Sequence, residues 1–174
     1  LFKWKWILIA LVISMLFAQG CTTETEEPST PLSIEQHIKK TRDDINELED
    51  FESKLNEQGF VKSHSSSNKI GDMVTFSYSV FRKDEVGYVH IEFTDEGKAS
   101  DELNLDFDTN ETDKPRIIHS DGLNSSNDDP YRFQPSSGLD KQWIGIYFEG
   151  KKAASIPNGA IVLSYGSDSW RSQY

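Results

Sequence analysis

Hydrophobic and polar positions follow four successive rhythms along this chain. Ile7 to Phe17 is an almost unbroken apolar run, broken only by Ser14. From Thr22 to Leu32 the residues are Thr, Glu, Pro and Ser with no aromatic side chain, too little apolar surface to offset the entropy of ordering. Apolar residues then recur at Ile34, Ile38, Ile45, Leu48, Phe51 and Leu55, spacings that lie along one helical stripe. Ser33 with Gln36 makes a capping box at its start, Glu35 complements the helix dipole, and Gly59 supplies the stop. The spacing predicts one long helix, about 25 residues and about 38 Å. Such a helix outruns a strand of about 20 Å, so its first turns are expected to overhang, with Ile38 partly exposed and Leu48 and Leu55 buried. A coiled-coil dimer is the alternative use of the stripe, at the cost of Thr41 and Glu52 in the seam.

Beyond Gly59 the period falls to two. Val74, Phe76, Tyr78 and Val80 alternate with Thr75, Ser77 and Ser79, and Val89, Ile91 and Phe93 alternate with Tyr88, His90 and Glu92. Arg82 to Glu85 connects the two as a hairpin. Ile144, Ile146 and Phe148 form a further face; Glu149-Gly150 and Pro157-Asn158-Gly159 turn the chain before the run Ala160 to Tyr165, which reads as the partner strand of a second hairpin. Short apolar islands at 103–107, 116–118 and 131–133 read as short strands, and Asp121 to Asp129 as an exposed loop. A helix followed by a meander predicts a single α+β domain over 33–174, with one long N-terminal helix packed on an antiparallel β-meander sheet. The element order resembles that of cystatin-like domains found in some bacterial lipoproteins, with no shared motif.

Lys3 and Lys5 precede the first apolar run, so residues 1–20 have the charged and hydrophobic regions of a secretory signal. The run of about 11 residues falls short of the roughly 20 that span a bilayer; an uncleaved N-terminal anchor is the alternative. Directly after it stands Ala18-Gln19-Gly20-Cys21, with the chain's single cysteine. This tetrapeptide resembles the lipobox of bacterial membrane lipoproteins. It departs from the family in having Ala18 where Leu is usual and the large Gln19 where a small residue is usual. The resemblance implies cleavage before Cys21, a diacylglyceryl group on its sulfur, palmitate-like acyl chains in the membrane, and residues 21–32 as a flexible tether. Two acyl chains suffice for stable anchoring where one does not. With one cysteine no intrachain disulfide forms, and the fold holds by its core alone.

Charge narrows the partners. Eighteen basic and 29 acidic residues give a formal net charge of −11, and loss of Lys3 and Lys5 makes the mature chain more acidic still. Such a surface repels nucleic acid, so no nucleic-acid partner is expected.

Motifs that carry chemistry are weak. Gly145 to Lys151 matches the first seven positions of a phosphate-binding loop, but Lys152 stands where Ser or Thr must hold magnesium, and the residues between belong to a strand. Asp106-Phe107-Asp108-Thr109-Asn110 begins like a calcium loop, then meets Glu111 at the glycine position and Ile117 at the bidentate glutamate position. Asp106, Asp108, Asn110 and Asp113 remain as oxygen donors for a non-standard site. His37, His64, His90 and His119 are scattered without zinc-ligand spacing, and no nucleophile elbow occurs. Trp143, Tyr131, Phe133 and Trp170 are candidates for an aromatic ligand groove. No catalytic residue and no cofactor is expected. The chain therefore reads as a non-enzymatic protein, lipid-anchored at the outer face of a cytoplasmic membrane of the Gram-positive kind, that binds or modulates another envelope protein. The alternatives are an envelope enzyme acting on wall polymers through paired carboxylates, and a small-ligand or cation-binding lipoprotein.

Overall fold

The computed structural model describes residues 33–72, 74–94, 101–107, 115–150 and 160–173. Cys21, the signal and the tether lie outside the described residues, as do Asp108, Asn110 and Asp113. Leu32 to Tyr174 form one compact unit.

The expected α+β domain, a long helix on one meander sheet, is not what forms. Two short helices, α1 (Ile34–Asp43) and α2 (Leu48–Glu57), precede ten strands. In chain order these are β1 (Val61–Ile70), β2 (Val74–Lys83), β3 (Val86–Phe93), β4 (Leu103–Phe107), β5 (Arg116–His119), β6 (Leu123–Ser125), β7 (Arg132–Pro135), β8 (Trp143–Glu149), β9 (Ile161–Tyr165) and β10 (Asp168–Arg171). They make two five-stranded antiparallel sheets, ordered β1-β2-β3-β8-β5 and β10-β9-β4-β7-β6.

The inner faces of the two sheets share one core. Phe76, Tyr78, Val80, Val89, Ile91, Phe93, Ile144 and Ile146 from the first sheet meet Leu103, Leu105, Leu123, Phe133, Leu163 and Tyr165 from the second. The helices cover the outer face of the first sheet, where Ile38, Phe51, Leu55 and Phe60 pack on Phe81, Tyr88 and Tyr147. The central strand β3 is consequently buried along both faces, although its sequence alternates as a half-exposed strand would.

The helix expectation fails between Asp44 and Glu47. Asp44 still donates its N–H to Lys40 O at 3.0 Å, but the Asx residues there compete with helix by turning the chain, and the Arg42 guanidinium donates to Ile45 O. The break also removes the predicted overhang. Once the stripe is cut in two, both halves fit above the sheet, and Ile38 is fully buried while Leu48 is only partly so. The capping box forms as the sequence predicts: Gln36 N–H donates to Ser33 Oγ and Ser33 N–H to Gln36 Oε1.

The first hairpin pairs β2 with β3 in a register that sets Tyr78 opposite Ile91 and Ser79 opposite His90. The second expected hairpin does not exist. β8 pairs with β3 and β5 in the first sheet, and β9 with β4 and β10 in the second. Alternation identifies a strand and its buried face but not its neighbour. Strand β1, sequence VKSHSSSNKI, was not expected at all, because its inward positions His64, Ser66 and Asn68 are polar and half-buried at a sheet edge.

Candidate functional site

Strand β3 turns Tyr88, His90 and Glu92 toward the helices, since alternate residues share a face. Helix α1 brings Arg42 onto the same spot, one turn after Ile38 in its buried stripe. Tyr88 Oη lies 3.0 Å from His90 Nδ1, and His90 Nε2 lies 2.9 Å from Glu92 Oε2. Arg42 closes the chain, donating from Nε to Glu92 Oε2 at 3.1 Å and from a terminal nitrogen to Glu92 Oε1 at 2.6 Å. One assignment satisfies every group: Tyr88 donates to Nδ1, Nε2–H donates to the Glu92 carboxylate, and Arg42 neutralises it with a forked contact.

The cluster is sealed. Tyr88 is 0 %, His90 1 %, Arg42 5 % and Glu92 7 % exposed. The Phe51 ring covers it from α2, centred 4.9 Å from the His90 ring and 5.7 Å from the Arg42 guanidinium carbon. Trp143 of β8 lies 5.7 Å from the imidazole. Gly145 makes the space for the tyrosine, because a Cβ there would stand 2.7 Å from Tyr88 Oη. Burial holds His90 below its ordinary range, against the opposing pull of Glu92. For Glu92 burial works upward, but the hydrogen bonds from His90 and Arg42 outweigh it and hold the carboxyl low. Burial pushes the Tyr88 hydroxyl well up. The cluster is thus an ion pair plus a neutral imidazole and phenol. It has the order of a catalytic base and its orienting acid, yet no surface from which a substrate reaches it.

A second, more open arrangement lies at the β5 edge. Arg116 reaches Glu35 of α1 at 2.5 Å and Glu149 of β8 at 2.6 Å, with its guanidinium carbon 4.9 Å from the Tyr147 ring centre. Beside it, Glu35, Arg116, Ile117, His119, Pro130 and Tyr131 line a cleft of about 450 Å³. His119 Nδ1 lies 2.9 Å from Ser120 O, and Lys39 Nζ donates to His119 O at 3.0 Å.

The phosphate-loop and aromatic candidates are not brought together among the described residues. Asp106 stands on β4, its Oδ1 accepting the Phe107 N–H at 2.8 Å, and its three proposed companions lie outside the described residues. Among the described residues no group of three or more His, Cys, Asp or Glu side chains is placed to hold a metal ion. Gly145, Ile146, Tyr147 and Phe148 are strand residues of β8, not a phosphate-binding loop. The four aromatics form no common groove: Trp143 and Phe133 are core, Trp170 packs edge-on against Phe76 and Tyr78, and Tyr131 alone lines the cleft. His37 is exposed on α1, whereas His90 joins the buried network. Sequence reasoning missed the Arg42 cluster. Its signal was an arginine four residues after Ile38 and three before Ile45, inside the apolar stripe, where a charge needs a buried partner.

Fold and site define a β-sandwich whose outer face is closed by a helix pair clamped through a buried arginine–glutamate–histidine–tyrosine chain. No family model, curated protein or solved structure matches the chain.

Proposed function

We propose that this chain is a lipid-anchored protein of the cell envelope, attached through Cys21, whose sandwich domain binds or modulates another envelope protein without catalysing a reaction. The observation that supports the reading is the sealing of the Tyr88–His90–Glu92–Arg42 cluster beneath α1 and α2. This buried relay of titratable groups serves to fix the helices on the sheet, and its chemistry is turned inward. What faces outward around the turn between the helices is a run of acids, Asp43 ending α1, Asp44 and Glu47 in the turn, and Glu49 and Asp50 in the first turn of α2, all exposed. That turn suits a basic segment of a partner protein.

A photo-crosslinker placed at Glu47 in living cells tests this. The proposal expects discrete crosslinked species with the wild-type anchor and their loss in Cys21→Ser, which is released or mislocalised. Turnover of wall polymer by the purified full chain, lost on changing exposed carboxylates, would instead establish the enzyme reading.

A further inference from the structure

Ile34 and Val61 are the exposed large hydrophobic side chains among the described residues, 46 % and 63 % exposed. Both belong to one end of the helix layer. Ile34 lines a groove of about 410 Å³ together with His37, Phe60, Lys83 and Val86. Val61 directly follows Phe60 and pairs with Arg82, next to Lys83. Scattered apolar residues on a surface carry no message; two beside one partly apolar groove are worth explaining.

The position of the groove in the chain names its occupant. Ile34 opens α1 immediately after Ser33, where the segment from Cys21 enters the domain. Twelve residues reach at most about 40 Å, so this end of the domain is the one the chain ties closest to an anchor at Cys21. Charge is distributed to match. The five exposed acids of the α1–α2 turn sit at the far end of α1, about 15 Å along a ten-residue helix. At the groove, Lys83 Nζ donates to Gln58 O at 2.7 Å and lies 5.6 Å from the Phe60 ring centre, with Asp84 as the opposing charge. An anionic bilayer repels the first end and tolerates the second.

We propose that the groove end docks on the phospholipid interface of the membrane that holds Cys21, with Ile34 and Val61 entering the boundary of headgroups and acyl chains and Lys83 facing phosphate. This rests on the lipid-anchored reading above. Two apolar side chains and one cation bind a bilayer weakly from solution. The anchor turns the contact into an intramolecular one, with an effective concentration near millimolar, so weak contacts suffice. Docking then holds the acidic turn outward, toward partners.

The full lipidated chain tests it. In the lipidated protein the Cys21 sulfur is a thioether, so Val61→Cys introduces the one free thiol, which takes an environment-sensitive fluorophore; Glu47→Cys is the comparison at the acidic turn. In phosphatidylcholine–phosphatidylglycerol vesicles containing headgroup-proximal spin-labelled lipid, quenching at 61 is expected to exceed that at 47 by about threefold or more. Ile34→Asp should bring it down to the level at 47. Aspartate suits the first turn of a helix, so this variant keeps its fold, which circular dichroism checks. Equal quenching at both positions, with the acyl groups confirmed by mass, overturns the docking and leaves the anchor intact. A label at 61 already shielded in Cys21→Ser without vesicles shows that the chain itself or a second copy fills the groove, and overturns lipid as occupant. A chain found without acyl groups overturns anchor and docking together.

Discussion

Glu92 is the residue on which the helix layer turns, since it accepts from both Arg42 of α1 and His90 of its own strand. A buried ion pair adds little net stability over a well-packed apolar replacement, but losing one partner strands a charge in the interior. Its use here is positional: it sets α1 at one place above β3. The linked histidine makes stability depend on pH. His90 is held below its ordinary value of 6.5, first by burial and then by the nearby Arg42 charge, with Glu92 opposing. The unfolded chain therefore binds a proton near pH 6.5 that the folded chain refuses, and stability falls as pH drops below about 6.5. Glu92, held below 4.5 by its hydrogen bonds, adds a second loss in the same direction at lower pH. Chemical denaturation from pH 8 to 5 should show a flat upper range and a decline beginning near pH 6.5. His90→Gln should remove the upper part of that decline. A wild-type stability unchanged between pH 7 and 5 would contradict the neutral, buried imidazole. Facing the ring are Arg42 from α1, Glu52 from α2 and Tyr88 and Glu92 from β3.

At the scale of elements, periodicity was a good guide to where strands and buried faces lie and a poor one to what they pack against. Tyr88, His90 and Glu92 looked like the wet face of a half-buried strand; a second layer dried it. The long stripe from Ile34 to Leu55 breaks at the Asx residues after Arg42, and the bend is held by Arg42 meeting Glu92, fifty residues away. The partners of β8 and β9 depend on crossing between sheets, which local alternation does not encode. The bend has a measurable consequence. Ile38 is fully buried against the sheet, so Ile38→Ala should cost about 2–5 kcal/mol in urea denaturation, as core aliphatics do. A loss under about 1 kcal/mol would restore the overhanging helix.

For the whole molecule, the N-terminal segment before Ser33 and the domain rest on different grounds. The domain is a sandwich with a clamped helix pair, and among the described residues neither the phosphate-loop nor the aromatic candidates converge in it. The anchor rests on the order of charge, apolar run and Gly20-Cys21 in the sequence, because position along the chain is what a processing machinery reads, and a folded surface adds nothing to it. The acidic turn and the apolar groove at opposite ends of the helix pair acquire meaning as outward and inward ends only if Cys21 carries lipid. The N-terminal peptide of the protein taken from its own membranes answers this directly by mass spectrometry. We predict a peptide beginning at Cys21 and carrying a diacylglyceryl group; a peptide that still includes Ala18-Gln19-Gly20 with a free Cys21 thiol would contradict the account.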